Sequence, residues 1–133
     1  MSHENVEIVR RALEAYDREG LDGYLRYLDP EVEWSTTDAF IERATYRGHG
    51  GVRRYLGSMA AEFEDVRVEP VDLIDGGGEQ VVSFVRISGR GKGSGAPVEL
   101  TLISVGWLRN GVAYRIRNYP DMAQALEAAR LEE

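Results

Sequence analysis

Apolar positions in the first part of the chain recur at helical spacing. Val6, Val9, Leu13 and Tyr16 form a stripe that Ile8, Ala12 and Ala15 widen, which predicts an amphipathic helix. Ser2 stands where an N-cap belongs, and Gly20 ends the run. A short second helix carries Leu21, Tyr24, Leu25 and Leu28. It stops before Asp29-Pro30, because proline holds its predecessor out of the helical region. Glu31-Val32-Glu33-Trp34-Ser35 alternates and predicts a strand with Val32 and Trp34 on one face. Thr36 to Arg47 is polar and reads as a loop. Gly48-His49-Gly50-Gly51 then opens a third helix, whose stripe is Val52, Tyr55, Leu56, Met59, Ala60 and Phe63.

From Val66 onward the period falls to two. Val66 and Val68 share one phase, Val71 and Leu73 the other, and Pro70 lies between them. A phase change beside a proline predicts a bulge or an edge strand. Gly76-Gly77-Gly78 makes a turn, Val81 to Arg90 a strand, and Gly91 to Pro97 a flexible loop. Val98 to Arg109 is a long strand, and Asn110-Gly111 joins it to Val112–Tyr119. That dipeptide predicts a tight hairpin, because both central residues of a type I′ turn need positive φ. Asp121 then caps a last helix with Met122, Ala125, Leu126 and Ala129. Helices first and an antiparallel meander afterwards predict an α+β fold. The long strand is apolar on both faces: Val98, Leu100, Leu102 and Leu108 on one, Ile103, Val105 and Trp107 on the other. Both faces must then be covered. The helices are expected to cover one face and a second copy of the chain the other, which predicts a homodimer.

Composition narrows the classes. The chain of 133 residues has no repeat or linker, so residues 1–133 are expected to form a single domain. A net charge of -7 argues against a nucleic-acid partner, which needs a basic face. With no cysteine there is no disulfide, thiolate metal site or cysteine nucleophile. His3 and His49 are the only histidines, so no metal site is expected. The acidic N-terminus lacks the features of a signal peptide and no apolar run is long enough to span a bilayer. A cytoplasmic protein without membrane contact is the expectation.

Several motifs, in this order and spacing, resemble the SnoaL-like group of the nuclear transport factor 2-like superfamily. They are Glu4-Asn5-Val6-Glu7-Ile8-Val9-Arg10-Arg11, Leu28-Asp29-Pro30-Glu31-Val32-Glu33-Trp34, Tyr46-Arg47-Gly48-His49-Gly50-Gly51-Val52-Arg53 and Tyr119-Pro120-Asp121. The resemblance implies a cone-shaped curved antiparallel sheet wrapped by helices around an apolar pocket, and dimerisation through the convex face. It implies no metal or organic cofactor. Relatives include ketosteroid isomerases, limonene epoxide hydrolases, polyketide cyclases and members without known activity, so the fold does not fix the function.

Tyr16, Trp34, Tyr55, Met59, Phe63, Trp107 and Tyr119 are the large residues expected to line such a pocket and to suit a small hydrophobic ligand. The alternative for each is plain core packing. Asp121 occupies a place similar to the general acid/base of the polyketide cyclases, against the simpler role of a helix cap. His49 is a candidate base, against a local hydrogen-bonding role at a helix start. Many relatives carry an acidic residue after this histidine, where Gly50 stands here. Arg86, Arg115 and Arg117 could clamp an anion if one pointed inward. The function expected first is binding of a small hydrophobic molecule. The alternatives are a cofactor-independent isomerase, cyclase or hydrolase working by general acid/base chemistry, and a pocketless dimerisation module. Ketosteroid isomerisation by the family's usual groups is not expected. By resemblance Trp34 stands where the base would be, Ser104 or Val105 where the protonated Asp would be, and Ala12 near the place of the catalytic Tyr. Asp38 is the nearest replacement base.

Overall fold

Six strands form one curved, open sheet in the order β2-β1-β6-β5-β4-β3. The computed structural model describes residues 2–36 and 44–131, and the side chains of residues 2, 58–60 and 131 lie outside that set. The Ser2 cap, Asp38 and the Met59 side chain therefore fall outside the described residues. In chain order the elements are α1 (Ser2–Glu19), α2 (Leu21–Leu25), β1 (Leu28–Ser35), β2 (Thr45–Arg47), α3 (Gly48–Ala60), β3 (Phe63–Gly77), β4 (Gln80–Gly91), β5 (Pro97–Arg109), β6 (Val112–Tyr119) and α4 (Met122–Leu131). The α+β architecture is the one the sequence predicts. One ladder departs from the antiparallel expectation: β1 runs parallel to β6, with Trp34 opposite Ile116.

The helix and strand limits shift where chain-breaking residues compete with the ladder. Leu28 belongs to β1 and not to the second helix, and the β1–β6 register breaks between Leu28 and Glu33, around Pro30. Thr45–Arg47 is a short edge strand inside the stretch read as a loop. Phe63 opens β3 instead of closing α3. Gly23 is required by a close approach, since a Cβ there would sit 2.9 Å from the Ala15 carbonyl oxygen. Asn110 and Gly111 both have positive φ, 57° and 84°, as the hairpin demands.

β3 is both an edge strand and a bulged one. Its register against β4 shifts between Pro70 and Asp72, and the extra residue Val71 is 44% exposed. Asp17 on α1 holds this edge. Its Oδ1 and Oδ2 accept from Arg67 Nε and Nη2 at 2.8 Å each, and Oδ1 also accepts from the Val68 amide at 2.8 Å. The Arg67 hydrogen bonds hold the Asp17 carboxyl below its ordinary range.

The sheet carries a core on each face. On the inner face, Val32, Trp34, Val68, Val81, Val85, Leu108 and Ile116 pack with α1, α2 and α3. On the outer face, Val82, Val105 and Trp107 pack under Ala125 and Ala129 of α4. This corrects the expectation that the second face has no cover within the chain. The last helix turns back across it.

Candidate functional site

Strand parity decides which predicted residues face the cone. Trp34 does, because β1 points Val32 and Trp34 toward the helices. Its indole nitrogen donates to Asn118 Oδ1 at 3.2 Å, and Asn118 Nδ2 donates to the Tyr55 hydroxyl at 2.9 Å. The rings continue in both directions. Tyr16 lies 5.1 Å from Tyr24, Tyr24 6.4 Å from Trp34, Trp34 5.7 Å from Tyr55, and Tyr55 4.8 Å from Tyr46. Tilted and edge contacts of this kind are favourable for aromatic quadrupoles. This aromatic chain fills much of the deep inner face.

Trp107 and Tyr119 lie on the other side, a correction to their expected place in the pocket. Both belong to the outer core under α4, because β5 turns Ile103, Val105 and Trp107 outward and β6 turns Tyr119 with them. Trp107 Nε1 donates to the Gln80 side-chain oxygen at 3.2 Å, and the Gln80 amide nitrogen donates to the Ala129 carbonyl at 2.7 Å and to Gly76 at 3.2 Å. The guanidinium of Arg115 lies 4.5 Å over the Trp107 ring. Leu100 and Leu102, by contrast, line cavities on the inner side.

Three cavities lined by described residues lie on the inner side of the sheet. The largest of these three, about 250 Å³, opens at the mouth between the end of α1, α2, α3 and the β3–β4–β5 side of the sheet. Tyr16, Leu21, Leu56, Phe63, Val66, Ile87 and Leu100 supply its apolar walls, and Asp17 and Gly20 its rim. Two smaller voids of about 50 and 40 Å³ lie deeper. Tyr16, Leu56 and Ile87 border both the mouth and the first of them. Among their described lining residues the inner voids hold no Asp, Glu, Lys, Arg or His. Burial raises the Tyr16 phenol, and burial together with Tyr16 raises that of Tyr24.

The proposed acid/base residues are occupied elsewhere. Asp121 is exposed at the start of α4, where Oδ1 accepts from the Gln124 amide at 2.8 Å and Oδ2 from its side chain at 3.2 Å. His49 is half-buried, and its Nε2 lies 2.9 Å from the Leu28 carbonyl. A carbonyl only accepts, so Nε2 carries the proton and ties α3 to β1. Arg86 pairs with Glu69 and Glu99 and Arg115 stacks on Trp107, while Arg117 lies opposite the outward Val105. Among the described lining residues of the three cone cavities, none of these arginines occurs. Among the described residues no cluster suits a metal ion. No described helix is long and apolar enough to cross a membrane.

Ser83, Tyr24 and Asn118 are not among the candidate residues read from the sequence, and Ser104 enters there only as a residue near the place of the relatives' protonated Asp. A signal was there: each serine interrupts an inward run, Val81-Ser83-Val85 and Leu102-Ser104, at a position where the pattern asks for an apolar residue.

A curved open sheet with helices across its inner face defines the nuclear transport factor 2-like class. Residues 9–116 match the SnoaL-like domain, and the chain belongs to that family. An NTF2-like protein of unknown function from Burkholderia pseudomallei is similar at 25% identity over 93% of this chain and 95% of its own, with a TM-score of 0.71. An NTF2-like protein from Burkholderia xenovorans is 27% identical, covering 96% of this chain and 95% of its own, with a TM-score of 0.63. A SnoaL-like protein from Jannaschia shares the fold at 18% identity, covering 96% and 92%, with a TM-score of 0.71. No curated protein matches the chain in sequence.

Proposed function

We propose that this SnoaL-like domain binds a small, largely apolar molecule at the mouth of its cone. The observation that carries this reading is the cavity of about 250 Å³ walled by Tyr16, Leu21, Leu56, Phe63, Val66, Ile87 and Leu100. That volume lies just below the range of about 300–1,000 Å³ for drug-sized ligands, so the ligand is small or inserts only in part. Asp17, the one carboxylate among its described lining residues, is held by Arg67 and the Val68 amide and is not placed as a proton acceptor. Asp121 and His49 receive no catalytic role here, since helix capping and the Leu28 carbonyl account for them. Fluorescence titration with flat apolar compounds tests the reading. Trp34 lies beside the inner void and is the expected reporter, so Trp107→Phe keeps the ligand-induced change and Trp34→Phe loses it. No saturable change with any apolar compound sinks the proposal.

The same reading includes a homodimer through the outer face. Phe84 and Ile103 sit opposite one another there, and Phe84 joins neither core cluster. An apolar residue on the face beyond α4 supports pairing with a second copy. Leu100 and Leu102 point into the cone and are not interface probes. Sedimentation at micromolar concentration is expected to show a dimer that Phe84→Arg splits, because an unpaired charge would be buried. A monomeric parent protein counts against it.

A further inference from the structure

The two inner voids meet around hydroxyl groups. Tyr24, Ser83 and Ser104 line both of them. Tyr24 and Ser83 are only 9% and 8% exposed. The Ser83 and Ser104 oxygens are 3.4 Å apart, longer than the usual O–H···O bond of roughly 2.5–3.0 Å, so each hydroxyl keeps most of its capacity unused. The Tyr24 phenol, raised by burial and by Tyr16, borders both voids. Buried hydroxyls normally find a partner. These three surround spaces of about 50 and 40 Å³, room enough for an oxygen atom.

We propose that Tyr24, Ser83 and Ser104 form a subsite for one uncharged oxygen of the ligand, an alcohol or a ketone. This rests on the reading of the mouth as an apolar binding site. Tyr16, Leu56 and Ile87 line both the mouth and the first void, so the two spaces adjoin. The apolar body then lies at the mouth and its oxygen points inward. Each hydroxyl can both donate and accept, so either oxygen type is served. A carboxylate is excluded, because among the described lining residues no cation faces the voids and an unpaired buried charge is costly.

Naphthalene, 2-naphthol and 2-naphthoate present one skeleton with no oxygen, a neutral oxygen and a charge. Calorimetric titration near neutral pH is expected to show 2-naphthol binding about fivefold to tenfold more tightly than naphthalene, as one or two buried hydrogen bonds supply. 2-Naphthoate is expected to bind more weakly than naphthalene. Replacing Ser83→Ala and Ser104→Ala together should bring 2-naphthol to within about twofold of naphthalene. Tyr24→Phe, which keeps the ring, is the second arm and should reduce the same preference. Equal affinities for naphthalene and 2-naphthol, a preference that survives both variants, or tight binding of 2-naphthoate each overturn the subsite and leave the apolar mouth standing. Failure of all three compounds to bind overturns the mouth reading and the subsite with it.

Discussion

The two tryptophans occupy mirror-image settings on opposite faces of one sheet. Trp34 and Trp107 are both buried, at 4% and 5% exposure, and each donates its indole N–H to a side-chain amide oxygen, of Asn118 and Gln80 respectively. Around Trp107 the amide reaches on to the carbonyl of Ala129 and fastens α4 to the sheet. Around Trp34 the amide reaches Tyr55, and beyond the ring lies a void bordered by hydroxyls. The outer face ties its indole to α4, although Arg117 Nε on that side is buried without a hydrogen-bond partner among the described residues. The inner face keeps hydroxyls beside unfilled space, and that difference separates a closed core from one with room left in it.

Substitution should separate the faces most strongly. Trp107→Ala removes a large ring from beneath α4 and is expected to cost near the top of the range of about 3–5 kcal/mol for such truncations. Trp34→Ala should fall near the bottom of that range, because the adjoining void has polar walls that water can use. Urea melts of both variants give the order, and the reverse order would mark the inner face as the drier one. Gln80→Ala sharpens the contrast by leaving Trp107 Nε1 and the Ala129 carbonyl without that partner. A loss of about 1–3 kcal/mol is expected, with α4 amides exchanging first.

The smallest effect is confined to alkaline solution. Burial raises the Tyr24 phenol in the folded state, so folding favours its neutral form. That contribution is complete below the unfolded value of about 10 and is lost as pH rises beyond it. Tyr24→Phe should therefore flatten the decline of stability above about pH 10. Parallel declines in the two proteins would show that Tyr24 does not control it.

Local chemistry was readable from the sequence, and sidedness was not. The Asn110-Gly111 hairpin, the Pro70 phase change and the helical stripes depend on neighbours in the chain, and each appears where its pattern puts it except at two helix ends, where Leu28 and Phe63 open strands instead. Alternation groups Trp107 with Val105 and Ile103, yet it cannot say whether that face meets α1–α3 or α4. That choice depends on where α4 docks, a non-local contact. The parallel pairing of β1 with β6 is hidden for the same reason. Gln80 and Asn118 are isolated amides without periodicity, so their anchoring of the two indoles emerges only in three dimensions.

The long free border of β3 has a consequence for self-association. An exposed strand edge is a template for adding further strands and for growth into fibrils. Here the outward amide of Val68 is already taken by Asp17, and Pro70, in the same phase, has no N–H to offer. The bulge at Val71 then twists the border out of register with any flat partner. One acid on α1, one proline and one surplus residue thus act as a gatekeeper that denies recruitment along this border. Any pairing of copies is diverted from strand addition to packing of faces, which can stop at two.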